Sequence, residues 1–441
     1  MEKTLRRVLV MTYYWPPAGG AGVQRWLKFV KYLSMMGWEA LVYTPLNPEI
    51  PVEDRSLLDE IPPGTTIIKT PIREPYNFYK RFVGMKSTDR VAANFISDGS
   101  KPSFAQKVSV WIRGNFFIPD PRIFWVGPSV RFLKEMLVED PVDLIVTSGP
   151  PHSMHLIGRR LKKSLGIPWV ADFRDPWTNI DFYHELMLTS IADSIHHRLE
   201  RKVVQMADLV ITVNKAMEED FLSKGAKSVV VISNGFDEAD MVESTAVFGD
   251  KLSFVHIGTL GETRNPLAFW TALGELVREQ PSIAEHILVK LVGKVDHSVT
   301  QVVEKNELGN LVEYVTYIPH MEAIKEQRNA GVLLLLVNNT PTAKGIVTGK
   351  LFEYLATGRP ILAIGPKDGE MADILHQTKA GKIFDFGEVN EIKQYIVGAL
   401  EQFRKGLLVV EPQGLAPYSR KELTRKLAQV MEQVVEQHKL R

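Results

Sequence analysis

Short apolar, β-branched runs alternate with amphipathic stretches along most of the chain, a pattern that predicts parallel strands joined by crossover helices. In the first half the predicted strands are Val8 to Tyr13, Glu39 to Tyr43, Thr66 to Thr70, Asp143 to Thr147, Pro168 to Phe173, Leu209 to Val213 and Val229 to Ile232. They are mostly apolar and β-branched, as buried parallel strands should be. After Asn234-Gly235 and a polar stretch rich in Asp and Glu, the pattern restarts with Leu252 to Ile257, Ile287 to Val292, Val312 to Tyr317, Val332 to Val337 and Pro360 to Ile364. The reading is an α/β protein of two parts, 1–245 and 246–416, with the boundary between 240 and 250 and a final helix in 417–441.

Two helices carry clear patterns. Between Gly22 and Gly37, Val23, Trp26, Leu27, Val30 and Leu33 recur at helical spacing while Arg25, Lys28 and Lys31 lie elsewhere, so one face is expected to pack on the sheet. From Ser419 to Lys439, Leu423, Leu427, Val430, Met431 and Val434 share one side of a charged helix. The alternation breaks from Tyr76 to Phe117, where Tyr76, Phe78, Tyr79, Phe82, Trp111, Phe116 and Phe117 are interleaved with Lys80, Arg81, Lys86, Arg90, Lys101, Lys107 and Arg113. Such a mixture suits an anionic membrane surface, where rings sit at headgroup depth and cations meet phosphates. A loop and helix shaping a substrate pocket is the other reading.

With 441 residues, 45% of them hydrophobic and 24% charged, each part is large enough to bury its own core. The formal charge of +1 supplies no global field for nucleic acid, so no nucleic-acid partner is expected. The absence of cysteine excludes a thiolate nucleophile and any Cys-ligated metal, and fits a reducing compartment. Val8 to Met11 is too short for a signal-peptide core, and no run approaches the roughly 20 apolar residues of a membrane span. A cytoplasmic protein, soluble or peripheral on the inner face of the membrane, is expected.

Candidate chemistry collects at the ends of predicted strands. Trp15-Pro-Pro-Ala-Gly19-Gly20-Ala-Gly22 feeds a helix, and glycines at a helix N-terminus allow close backbone approach to an anion or hydroxyl. The spacing is not GxGxxG and no acidic residue follows the second strand at the ribose position, which speaks against an NAD enzyme. His152 and His155 follow the fourth strand, and Asp172-Phe-Arg-Asp175 ends the fifth, positions where open α/β sheets bind ligands. His152 is the candidate to meet substrate. Asp172 and Asp175 are candidates for sugar hydroxyls, at least one of them expected in an internal Asp–Arg pair. In the second half, Lys344-Gly345-Ile346-Val-Thr-Gly349-Lys350-Leu351-Phe-Glu353 takes a glycine-bearing loop into a helix. A helix N-terminus with a lysine suits a diphosphate, and a glutamate one turn on suits a ribose diol.

These segments, with Ile232 to Asp237, His256 to Gly261 and Lys350 to Pro360, resemble in order the family 4 glycosyltransferases of the GT-B fold, especially bacterial enzymes of surface-polysaccharide synthesis. The resemblance implies two Rossmann-like domains facing a central cleft, with a glycan or lipid-linked acceptor on the first and a nucleotide-diphosphate sugar on the second. It also implies a final helix that returns to the first domain, and retaining sugar transfer with no bound metal and no other cofactor. By position Glu353 would bind the nucleotide ribose, and Gly258, Thr259, Gly345, Ile346 and Leu351 would line the donor. Gly19, Gly20, Gly22, Asp172 and Asp175 would hold the acceptor. His152, Arg264 and Lys350 would serve catalysis, the two cations neutralising the departing diphosphate. Two departures stand out: Gly345 occupies the position of the family's first glutamate, and Thr259 follows Gly258 where many relatives have arginine. A catalytically silent nucleotide-binding scaffold and a sugar-nucleotide epimerase are the alternatives.

Overall fold

The computed structural model describes residues 5–50, 52–74, 104–241 and 249–440. It forms two compact units, the first built from the described residues up to 233 together with those from 420 on, the second from those of 234–419. The division falls about a dozen residues before the expected 245. Its physical reason is that the segment after Asn234 is tied to the second unit: Phe236 pairs with Ser419, Asp240 lies 3.4 Å from His320 Nε2, and Arg328 donates to the Met241 carbonyl.

The first unit holds β1 (Arg6–Met11), β2 (Trp38–Pro45), β3 (Thr66–Thr70), β4 (Leu144–Gly149), β5 (Trp169–Phe173), β6 (Leu209–Thr212) and β7 (Val229–Val231). Its helices are α1 (Ala21–Leu33), α2 (Phe104–Phe116), α3 (Ile123–Glu139), α4 (Ser153–Leu165), α5 (Ser190–Met206), α6 (Lys215–Ser223) and the terminal helix (Arg420–Lys439). The strands run parallel in the order 3-2-1-4-5-6-7, with Val8 beside Leu144 and Met11 beside Thr147. Leu9, Met11, Tyr43 and Ile145 face one buried cluster, while Val8, Val10, Val42 and Val146 face another. Burial on both faces is why the central strands β4, β5 and β6 are buried at every position, whereas the edge strand β3 is partly exposed.

The terminal helix lies against α1, putting Leu423, Leu427, Met431 and Val434 into the cluster that holds Trp26, Leu27, Val30 and Leu33. α1 is therefore covered on two sides, and two of its cations, expected off the packed face, are buried. Arg25 is 0% and Lys28 2% exposed, and Lys28 pairs with Glu60 at 2.6 Å.

The second unit holds β8 (Leu252–Ile257), β9 (Ile287–Val292), β10 (Val312–Val315), β11 (Val332–Leu336), β12 (Ile361–Ile364) and β13 (Gly381–Phe384). Between and after them run α7 (Leu267–Glu279), α8 (His297–Lys305), α9 (His320–Asn329), α10 (Gly349–Ala356), α11 (Glu370–Thr378) and α12 (Val389–Arg404); the terminal helix is α13. The strands are again parallel, in the order 10-9-8-11-12-13. β13 was not expected from sequence: four residues including Lys382 make no apolar run. Gly381 admits it, because a Cβ there would lie 2.1 Å from the Ile361 carbonyl oxygen.

Both sheets place consecutive strands in the order 3-2-1-4-5-6. Ligands in such sheets bind outside the carboxyl ends at the point where the order reverses. That point is the β1/β4 pair in the first unit and the β8/β11 pair in the second.

Candidate functional site

In the first unit the segments leaving β1, β4 and β5 converge. Arg174, directly after β5, donates to the Gly22 carbonyl at 2.7 Å, to the Gly149 carbonyl at 3.3 Å and to the Pro150 carbonyl. One guanidinium thus fastens the glycine loop to the histidine loop. Gly22 is needed for the approach, since a Cβ there would stand 2.7 Å from Arg174 Nη1. Gly20 starts α1 at φ +90 with no side-chain cap and faces solvent. Gly19 is buried, its amide donating to the Val52 carbonyl at 2.9 Å, so it braces the loop instead of offering an open edge.

Asp172 corrects the sequence reading. It is 0% exposed and accepts from Arg25 (2.8 Å), Trp26 Nε1 (2.8 Å) and Ser148 Oγ (2.9 Å), leaving no face for a sugar hydroxyl. Its ion-pair partner is Arg25, 147 positions away and not Arg174. Asp175 remains exposed at the carboxyl end of β5.

His152 occupies the N-cap of α4 and is 8% exposed. Its ring stacks on Trp177 with centroids 4.9 Å apart and planes within 4°. Burial, with His155 and Arg174 nearby, holds its pKa well below 6.5, so the ring is neutral. His155 is fully buried, bonded to Thr147 Oγ1 at 2.9 Å, its pKa pushed by burial down to about 3. Asp120 accepts from the Ser153 amide and hydroxyl, both at 2.8 Å, and so supplies α4 with its anion.

In the second unit, Gly258 and Lys350 meet. Gly258 has φ +121, and Lys350 Nζ lies 2.7 Å from where a Cβ would be. Burial first, then Arg264, push the lysine pKa down to about 7, with Glu353 opposing. Among the described residues Lys350 forms no ion pair. Arg264 is steered by its bonds to Asn338 Oδ1 at 2.8 Å and to the Thr259 carbonyl at 3.3 Å. α10 begins beside them with no acid in its first turn, no side-chain cap, and the Thr348 hydroxyl buried without a partner. Two cations and an uncapped helix start thus surround one point of positive potential. One turn on, Glu353 is partly exposed and accepts from Gln327 Nε2 at 3.0 Å.

Three expectations here do not hold. Leu351 is 0% exposed in the core, because its position on α10 points at the sheet. The amides of Gly345 and Ile346 donate to Thr342 and Ala343 at 3.1 Å inside a single 3₁₀ turn, so they are not held ready for phosphate.

Sequence reasoning missed Trp177, Gln327 and Asn338 as supports, and Arg25 as the partner of Asp172. None carried a signal in the sequence: Arg25 reads as lying off the packed face of α1 and is 0% exposed in the fold, where the terminal helix lies against α1. Of the aromatic and basic insertion, residues 75–103 lie outside those described. Its remainder, α2, presents Phe104, Trp111 and Phe116 to solvent, 83%, 39% and 68% exposed, with Lys107 among them and no acidic residue in the helix. Among the described residues no helix is long and apolar enough to cross a membrane.

The two sheets and their switch points define the GT-B fold. Residues 90–240 match the model of Glycosyltransferase Family 4, so the resemblance to that family is borne out. A sucrose-phosphate synthase from Thermosynechococcus elongatus is 14% identical, with 98% of this chain and 97% of that one covered at a TM-score of 0.57. Anabaena HepE in complex with UDP-glucose is 15% identical, with 98% of each chain covered and a TM-score of 0.56. The N-terminal domain of Candida albicans trehalose-6-phosphate phosphatase is 12% identical, with 98% of each chain covered and a TM-score of 0.63. No curated protein sequence matches the chain.

Proposed function

We propose that this protein is a glycosyltransferase that moves a sugar, with retention of anomeric configuration, from a nucleotide-diphosphate sugar to a glycan or lipid-linked acceptor in cell-surface polysaccharide synthesis. The observation that carries the reading is the cluster of Lys350, Arg264 and the uncapped start of α10, with Glu353 one turn further on. A diphosphate answers the positive point and a ribose diol answers the carboxylate. The neighbour HepE, described with UDP-glucose bound, supports a nucleotide sugar as the ligand class.

In this reading the second unit binds the donor. Lys350 and Arg264 neutralise charge as the diphosphate leaves, a role that asks for no metal or other cofactor. The acceptor lies at Gly20, Gly22, His152 and Asp175. His152, neutral and stacked, orients an acceptor hydroxyl without acting as a strong base, and a departing phosphate oxygen takes the proton. The exposed aromatics of α2 with Lys107 and Arg113 support peripheral attachment to an anionic membrane on the cytoplasmic face, where a lipid-linked acceptor would be found.

Gly345, at the position of the family's first glutamate, favours a second reading: a nucleotide-binding scaffold that transfers nothing. Isothermal titration with UDP, GDP and their sugars, beside Glu353→Ala, tests the donor site. Binding lost in the variant supports it, and no binding to any nucleotide removes it. Turnover of the bound nucleotide sugar separates enzyme from scaffold.

A further inference from the structure

Gln327 sits near the end of α9, is 2% exposed, and follows buried Ile324 on the same helical face. Its carboxamide faces Glu353, and only the NH2 end can donate to a carboxylate, which fixes the orientation: Nε2 to Glu353 Oε2 at 3.0 Å. The other end, Oε1, is buried and has no hydrogen-bond partner. Buried polar groups are nearly always satisfied, and leaving one unsatisfied costs stability. A residue retained for packing at this position would be apolar like Ile324, or would fill both ends. Gln327 fills only the end that touches Glu353. Glu353 has buried Phe352 and Tyr354 on either side in sequence and is itself partly open, so its carboxylate needs an outside group to fix its rotation.

We infer that Gln327 is a positioning residue, one that turns the Glu353 carboxylate into the orientation that accepts the two hydroxyls of a nucleotide ribose. The inference rests on the donor-site reading above. With one oxygen engaged by the amide, the remaining lone pairs of Glu353 are aimed in one direction. Without the amide the carboxylate swings, and a two-point contact becomes a one-point contact.

The test is titration of the full chain with UDP and GDP, with thermal unfolding measured on the same samples. Gln327→Leu keeps the volume and removes the donor. It is expected to unfold at the same temperature as wild type or higher, and to bind the nucleotide about tenfold more weakly, the loss that follows from one hydrogen bond. Gln327→Glu sets two carboxylates face to face. Its affinity, taken as a ratio to wild type at each pH so that titration of Lys350 and of the phosphate cancels, is expected to be depressed at pH 8 and to recover towards pH 5, where a shared proton restores a donor. A purely structural glutamine would give the reverse: a lowered unfolding temperature, unchanged affinity and no pH-dependent ratio, and that result overturns the inference. Loss of binding in Glu353→Ala with wild-type affinity in both Gln327 variants overturns it while leaving the donor site standing. Wild-type protein that binds neither nucleotide overturns both.

Discussion

Lys350 lies across the bare Cα of Gly258, so closely that a Cβ there would stand 2.5 Å from its Cε and 2.7 Å from its Nζ. The lysine can reach its place only because the residue directly after β8 has no side chain. Two residues before Gly258, on β8, His256 is buried with Nδ1 3.1 Å from the Leu334 carbonyl, and burial with Lys350 nearby keeps it neutral. The positive charge at this sheet edge therefore comes from Lys350 and Arg264.

Gly258→Ala should displace the lysine and strain a backbone held at φ +121. The expected cost is about 1–3 kcal/mol of stability, with nucleotide-diphosphate affinity reduced roughly ten- to a hundredfold by loss of a charge-assisted contact. Urea unfolding and calorimetric titration measure the two effects separately. Unchanged affinity would remove Lys350 from the diphosphate site.

A lysine with its pKa lowered to about 7 is cationic below that pH and neutral above it. Diphosphate binding favours the cation and raises the pKa in the complex, so affinity should be greatest below pH 7 and fall as pH rises above it. Titration with UDP and GDP across pH 6 to 9 reads this directly. Lys350→Arg, charged throughout, should flatten the profile above pH 7, and a wild-type profile already flat there would argue against the assignment.

Replacement of Asp172 by alanine strands Arg25 in the core and leaves Trp26 Nε1 and Ser148 Oγ without their acceptor. Breaking such a buried pair costs about 3–5 kcal/mol. Chemical denaturation should show this loss while nucleotide affinity, which the proposed function assigns to the second unit, is retained. A variant of normal stability that loses only acceptor use would restore Asp172 as a ligand.

The α2 surface can be tested with lipid vesicles. The triple change Phe104→Ser, Trp111→Ser, Phe116→Ser removes three exposed rings without touching the core. Wild-type protein should sediment with vesicles rich in anionic lipid and less with neutral ones, and the variant should stay in solution with its nucleotide titration unaltered. Equal sedimentation of both proteins would place any membrane contact elsewhere.

Much of this molecule follows from local pattern. The central strands are covered on both faces and so are largely apolar, and with the more mixed edge strands β3 and β10 placed by the alternation with helices, twelve of the thirteen were readable and both sheets were expected parallel. Glycine next to a helix start, followed by Lys350 and Glu353 at adjacent turns, marked a candidate anion and diol site because those residues are near in sequence. Partner choice between distant residues had no such mark. Asp172 could have faced a ligand or Arg174; packing of α1 beneath α13 gave it Arg25 instead. Gln327 reached Glu353 from another helix, Arg264 found Asn338 beyond β11, and β13 exists only because Gly381 fits against Ile361. Side-chain period fixes which way a residue points along its own element, but hydrogen-bond partners are set by which elements the chain brings together, and that only the tertiary structure decided.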